Sequence, residues 1–63
     1  MTTIVTTADK LTCVERELKY RQRVYARLVG EGKMSQGKAT LELAIMQAII
    51  EDYRQAAEKE RLI

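Results

Sequence analysis

The chain has 63 residues, of which 46% are hydrophobic and 32% charged, with a formal net charge of +2, no His and a single Cys. One domain is the most that this length supports, and so small a fold buries only about 60% of its unfolded surface. One Cys cannot form an internal disulfide, and without His too few ligands remain for a structural zinc site. We therefore expect oligomerisation to stabilise the fold.

The amino-terminal segment is predicted to be a flexible or extended Thr-rich arm over residues 1–11, since nothing later in the chain offers a strand to pair with it. Thr12 and Glu15 match the S/T-x-x-E capping box, which predicts a first helix over about 12–29. Asp9 is an alternative cap. Gly30 and Gly32 end this helix, because glycine readily adopts the left-handed conformation that follows a helix end.

A second helix is predicted over about 36–60, after a turn at 30–35, with Ser35 as its N-cap. The short connection makes the two helices antiparallel. Apolar residues recur at spacings of three and four along both helices. The positions predicted to face the partner helix are Leu11, Val14, Leu18, Arg21, Tyr25 and Leu28, and Ala39, Leu43, Met46, Ile50, Tyr53 and Ala57.

The apolar arc of each helix is wider than one partner helix can cover, which leaves a second apolar surface. We name it the apolar face, and it consists of Tyr20, Val24, Leu41, Ile45 and Ile49. An exposed patch of this size is unusual on a soluble monomer. The predicted fold class is therefore all-α: an antiparallel two-helix hairpin that assembles as a homodimeric four-helix bundle or a higher oligomer.

Charge is distributed unevenly along the chain. Residues 15–38 hold seven basic against three acidic residues, and residues 39–63 hold three basic against five acidic ones. Four basic residues share the side of the first helix opposite its apolar arc, and we name them the basic stripe: Arg16, Lys19, Arg23 and Arg27. The stripe is either a solvated surface or a binding site for an anion or a partner.

Two charged residues, Arg21 and Glu42, fall inside the apolar arcs. Burial of either one alone would be costly, so we expect the two side chains to pair, with Glu17 adding a contact four residues before Arg21. Such a buried pair either sets the register of the helices or forms a polar pocket for a ligand or partner.

The sequence predicts no enzyme activity, cofactor or metal site. General acid–base chemistry at neutral pH usually relies on His, which is absent. Cys13 lacks a His partner and lies at the edge of an apolar stripe, which favours a packed thiol. Ser35 and Lys38 match the S-x-x-K motif of penicillin-recognising acyltransferases, but a helix cap explains them better.

Part of the chain resembles a group of short, mostly uncharacterised proteins encoded by phages and prophages of proteobacteria. The residues that carry this resemblance are Glu15, Glu17-Leu18, Arg23-Val24-Tyr25, Gly32-Lys33-Met34, Ala39, Glu42-Leu43, Met46, Ile49 and Tyr53. The group brings no established activity. The resemblance implies a phage origin, and phage proteins of this size commonly bind a host component.

Three functional hypotheses follow from the sequence. The first is a homo-oligomeric protein that binds or sequesters a host protein or a small anionic ligand. The second is a nucleic-acid-binding regulator of the two-helix dimer type, although the net charge is modest for such a protein. The third is a structural subunit of a phage assembly. No apolar run of about 18 residues and no secretory signal are present, so we expect a cytoplasmic protein outside the membrane.

Overall fold

Two antiparallel helices make up the described part of the chain. The computed structural model describes residues 3–62, in which α1 spans Thr7–Gly30 and α2 spans Gln36–Arg61. The helices pack along their length, so the predicted hairpin of an all-α chain is confirmed. The molecule is a flat rod, with principal-axis extents of 47 × 28 × 13 Å.

Helix α1 begins five residues earlier than predicted, and its N-cap is Thr6. The Thr6 hydroxyl accepts a hydrogen bond from the backbone N–H of Asp9 at 3.0 Å, and the Asp9 carboxylate accepts one from the backbone N–H of Thr6 at 3.1 Å. The predicted capping box of Thr12 and Glu15 is therefore wrong. No helix breaker lies between residues 7 and 12, so each added residue contributes a backbone hydrogen bond at little cost once the first turn has formed.

The turn between the helices depends on one glycine. Gly32 has a φ of 74°, in the left-handed region where a Cβ is disfavoured. The backbone N–H of Gly32 donates to the carbonyl of Val29 at 3.1 Å, and that of Lys33 donates to the carbonyl of Leu28 at 2.9 Å. These two bonds form a Schellman motif, which satisfies carbonyls that the end of α1 leaves unpaired.

Helix α2 begins as the sequence predicts. The Ser35 hydroxyl accepts a hydrogen bond from the backbone N–H of Lys38 at 3.1 Å. The helix continues to Arg61, where Leu62 is its C-cap. An N-cap bond of this kind contributes about 1 kcal/mol to helix stability.

The core is small and lies mostly on α2. Ala39, Met46 and Ile50 are buried, and no residue of α1 reaches the same degree of burial. The other positions predicted to face the partner helix are all half-buried: Leu11, Val14, Leu18, Arg21, Tyr25, Leu28, Leu43, Tyr53 and Ala57. Two helices alone thus cover only part of each apolar arc.

Contacts between the helices include the first turn of α1. The Thr7 hydroxyl donates to the Glu60 carboxylate at 2.7 Å, and Lys10 lies 5.9 Å from the centre of the Tyr53 ring. These contacts join the start of α1 to the end of α2. Residues 7–11 are therefore part of α1 and contact α2, and the prediction of a flexible or extended arm is wrong for them.

Candidate functional site: the two surfaces of the hairpin

The apolar face is present on the hairpin, and it is open. The exposed fraction is 56% for Tyr20, 59% for Leu41, 47% for Ile45 and 38% for Ile49, while Val24 is half-buried. Spacings of four residues place Tyr20 and Val24 on one side of α1, and the three α2 residues on one side of α2. Within one chain, nothing among residues 3–62 buries these four exposed side chains.

Cys13 lies seven residues before Tyr20, on the same stripe of α1. Its thiol is free and exposed, so the predicted packed thiol is wrong. The thiol is exposed because this stripe lies on a side of α1 that α2 does not cover.

A polar groove lies between the two helices on another side of the hairpin. Its volume is about 470 Å³, and it is lined by Glu15, Leu18, Lys19, Gln22, Gln47, Ile50, Glu51 and Arg54. Arg54 contacts the carboxylate of Glu15 on the facing helix at 3.3 Å and that of Glu51 on its own helix at 3.2 Å. The sequence did not predict this groove. Its one detectable signal was the three-residue spacing of Glu51 and Arg54, which is common in solvated helices.

The predicted buried pair of Arg21 and Glu42 is wrong for the described chain. Arg21 instead contacts Glu17 at 3.2 Å, which is the four-residue contact that the sequence predicts, and Glu42 contacts Lys38 at 3.7 Å. All three predicted residues are half-buried, and residues 3–62 contain no buried charged side chain. A partner on the same helix needs no alignment between helices, and water still solvates the uncovered part of each arc.

The hydrogen bond to Glu17 raises the pKa of Arg21 above its ordinary value, with a smaller contribution from Tyr25. Like any arginine guanidinium, it is charged at every physiological pH. It places a fixed positive charge inside an otherwise apolar arc of α1.

All four residues of the basic stripe are exposed. Arg27 lies 3.8 Å from the Glu31 carboxylate. Within residues 3–62, no carboxylate lies within 4.0 Å of Arg16, Lys19 or Arg23, whereas Arg21, Arg54 and Arg61 each have such a partner. The stripe can hold an anion because three of its four charges have no such partner in the described chain and the four follow one another along about 16 Å of helix.

Comparison with known proteins found no matching family model, no matching curated relative and no matching solved structure. Neither helix has an apolar stretch sufficient to span a lipid bilayer, as judged over residues 3–62. The same residues hold no group of three or more Cys, Asp or Glu side chains placed to bind a metal ion.

Proposed function

We propose that this chain is a non-enzymatic binding protein that works as a homo-oligomer. In this proposal a second copy covers the apolar face, and the basic stripe remains on the outside, where it binds an acidic partner. The observation that carries the proposal is the exposure of Tyr20, Leu41, Ile45 and Ile49 on one surface. Burial of such side chains stabilises a fold by roughly 25 cal/mol per Å², and a small core needs that contribution.

The charges of Arg16, Lys19 and Arg23, which have no carboxylate partner among residues 3–62, support an acidic partner. Arginine binds carboxylates and phosphates through a planar fork of donors, so an acidic protein surface or a small anionic ligand suits this stripe. The resemblance to phage-encoded proteins supports a host protein as the acidic partner. The attraction will fall with added salt, because exposed charges are screened.

Fluorescence anisotropy with three labelled probes tests this function: an oligoglutamate peptide, a 20-nucleotide single strand and the corresponding duplex. We expect the peptide to bind at low salt and to lose at least tenfold in affinity in a variant that combines Lys19→Glu with Arg23→Glu. A control variant, Lys33→Glu with Arg61→Glu, makes the same change of charge outside the stripe and is expected to lose less.

Each other outcome overturns part of the proposal. Tighter, salt-sensitive binding of either nucleic acid would replace it with the regulator of the two-helix dimer type. No binding of any probe by an intact oligomer would leave a structural subunit as the better account. Equal losses in the two variants would mean that total charge, and not the stripe, attracts the peptide.

A further inference from the structure

The apolar face is off-centre along the hairpin. Glu15 contacts Arg54, and Thr7 contacts Glu60. A residue of α1 therefore lies at the same position along the hairpin axis as the α2 residue whose number brings the sum of the two to about 68. The midpoint of Tyr20 and Val24 on α1 is then level with Ile45, the middle of the three α2 residues. Helix α1 runs from residue 7 to residue 30, so this centre lies nearer to the turn than to the open end.

Two-fold symmetry offers two ways to place this face against its own copy. An axis parallel to the helices keeps both turns at one end and packs α1 of each copy along α2 of the other. An axis perpendicular to the helices puts the turns at opposite ends and packs α1 against α1. Because the apolar face is off-centre, the two arrangements bury different areas of the helices.

With the turns at one end, the apolar faces meet and the helices overlap along their whole length. Helices of 24 residues are about 36 Å long and 10 Å wide, so two per copy bury roughly 1,400 Å² in total. With the turns at opposite ends, matching the two faces leaves residues 7–13 of each α1 without a partner and buries roughly 1,000 Å². Stable interfaces bury about 1,200–2,000 Å², so the area favours aligned turns.

Charge complementarity favours the same arrangement. Helix α1 carries six basic and three acidic residues, and α2 carries four basic and five acidic ones. Packing α1 along the second copy's α2 joins unlike charges. Packing α1 along α1 brings the two basic stripes to the same edge of the bundle, where they repel one another.

We propose that the second copy binds the apolar face with its turn at the same end, so that α1 of each copy packs along α2 of the other. This inference rests on the proposed function and extends it, because the two basic stripes then lie on opposite flanks of the bundle. The dimer holds two separate sites, and one acidic partner binds per chain. Turns at opposite ends would instead join the stripes into one surface for a single partner.

Electron paramagnetic resonance distances test the arrangement directly. The full chain carrying Cys13→Ser receives one nitroxide label, either at Leu62→Cys at the open end or at Lys33→Cys in the turn. Leu62 and Lys33 are exposed and lie outside the apolar face. Light scattering on each labelled sample measures its oligomeric state.

Aligned turns predict a distance between labels below about 25 Å at both positions, because helix axes in a bundle lie 8–10 Å apart. Opposite turns predict about 40 Å or more at Leu62→Cys and about 30 Å at Lys33→Cys, from a rise of 1.5 Å per residue. An oligomer with the longer distances would overturn the arrangement alone. A monomer in the absence and presence of the label would overturn both the arrangement and the proposed function.

Discussion

On the groove side of the hairpin, Arg54 links α2 to Glu15 of α1 and also contacts Glu51 of its own helix. On the apolar face, Leu41 and Ile45 meet water although the same two helices support them. Polar groups can be satisfied either by neighbours or by solvent, whereas an apolar surface is stabilised only by contact. The groove side is therefore compatible with solvent in a single chain, whereas the apolar face would gain stability from a covering partner.

The largest expected effect comes from a charge on the apolar face. Ile45→Glu is expected to weaken assembly by more than 100-fold, because an unpaired charge in an interface costs about 3 kcal/mol or more. The released monomer has a small core, so its melting temperature falls as well. Gln47→Glu adds the same charge in the polar groove and is the matched control. Equal molar masses and melting temperatures for the two variants would show that the apolar face contributes no more to assembly than the polar groove does.

A smaller effect on stability is expected from a substitution in the turn between the two helices. Gly32→Ala is expected to destabilise the fold by about 1 kcal/mol, because its φ of 74° strains any residue with a Cβ. Gly37→Ala is the control, since its added Cβ meets no atom within 4 Å and helix propensity favours Ala. Thermal unfolding should show opposite signs for the two variants, and equal signs would contradict the role given to Gly32.

A comparable effect is expected at the start of α1. Thr6→Ala is expected to cost about 1 kcal/mol, because it removes the bond to the Asp9 backbone. Thr12→Ala lies inside the helix and should be neutral or slightly stabilising. Hydrogen exchange of the Asp9 and Lys10 amides, which donate to Thr6, provides the measurement. Faster exchange in Thr12→Ala than in Thr6→Ala would show that Thr12, as the sequence predicts, and not Thr6, caps the helix.

The smallest effect is expected on the groove side. Arg54→Gln removes contacts to Glu15 and Glu51, yet exposed ion pairs contribute only about 0.5 kcal/mol. A double-mutant cycle with Glu15→Gln isolates the contact between helices. A coupling energy above about 1.5 kcal/mol would show that the groove, and not the apolar face, dominates the stability of the hairpin.

The hairpin itself could be predicted from the sequence because its signals are local. Ser35 caps α2 within three residues, Gly32 supplies the turn, and apolar spacing reports which arc of each helix is covered. The membership of the apolar face follows from the same periodicity. Such features need no knowledge of how the two helices align.

The start of α1, the pairing of Arg21 with Glu42 and the groove could not be predicted, because each depends on contacts between residues far apart in the sequence. Two capping boxes compete at the start of α1, and the longer helix gains the contacts of Thr7 with Glu60 and of Lys10 with Tyr53. Whether Arg21 reaches Glu42 on the facing helix also depends on helix alignment at the scale of an ångström, and periodicity does not reach that accuracy. The groove was missed for the same reason, since it exists only where Glu15 meets Arg54.

Light scattering after size exclusion, over a range of concentrations, measures directly whether copies of this chain assemble. We expect a molar mass of at least twice the 7.2 kDa of the chain, with helicity that decreases as dilution separates the copies. A helical, cooperatively unfolding species of 7.2 kDa at every concentration would show that the apolar face needs no partner and that the chain is stable as a monomer.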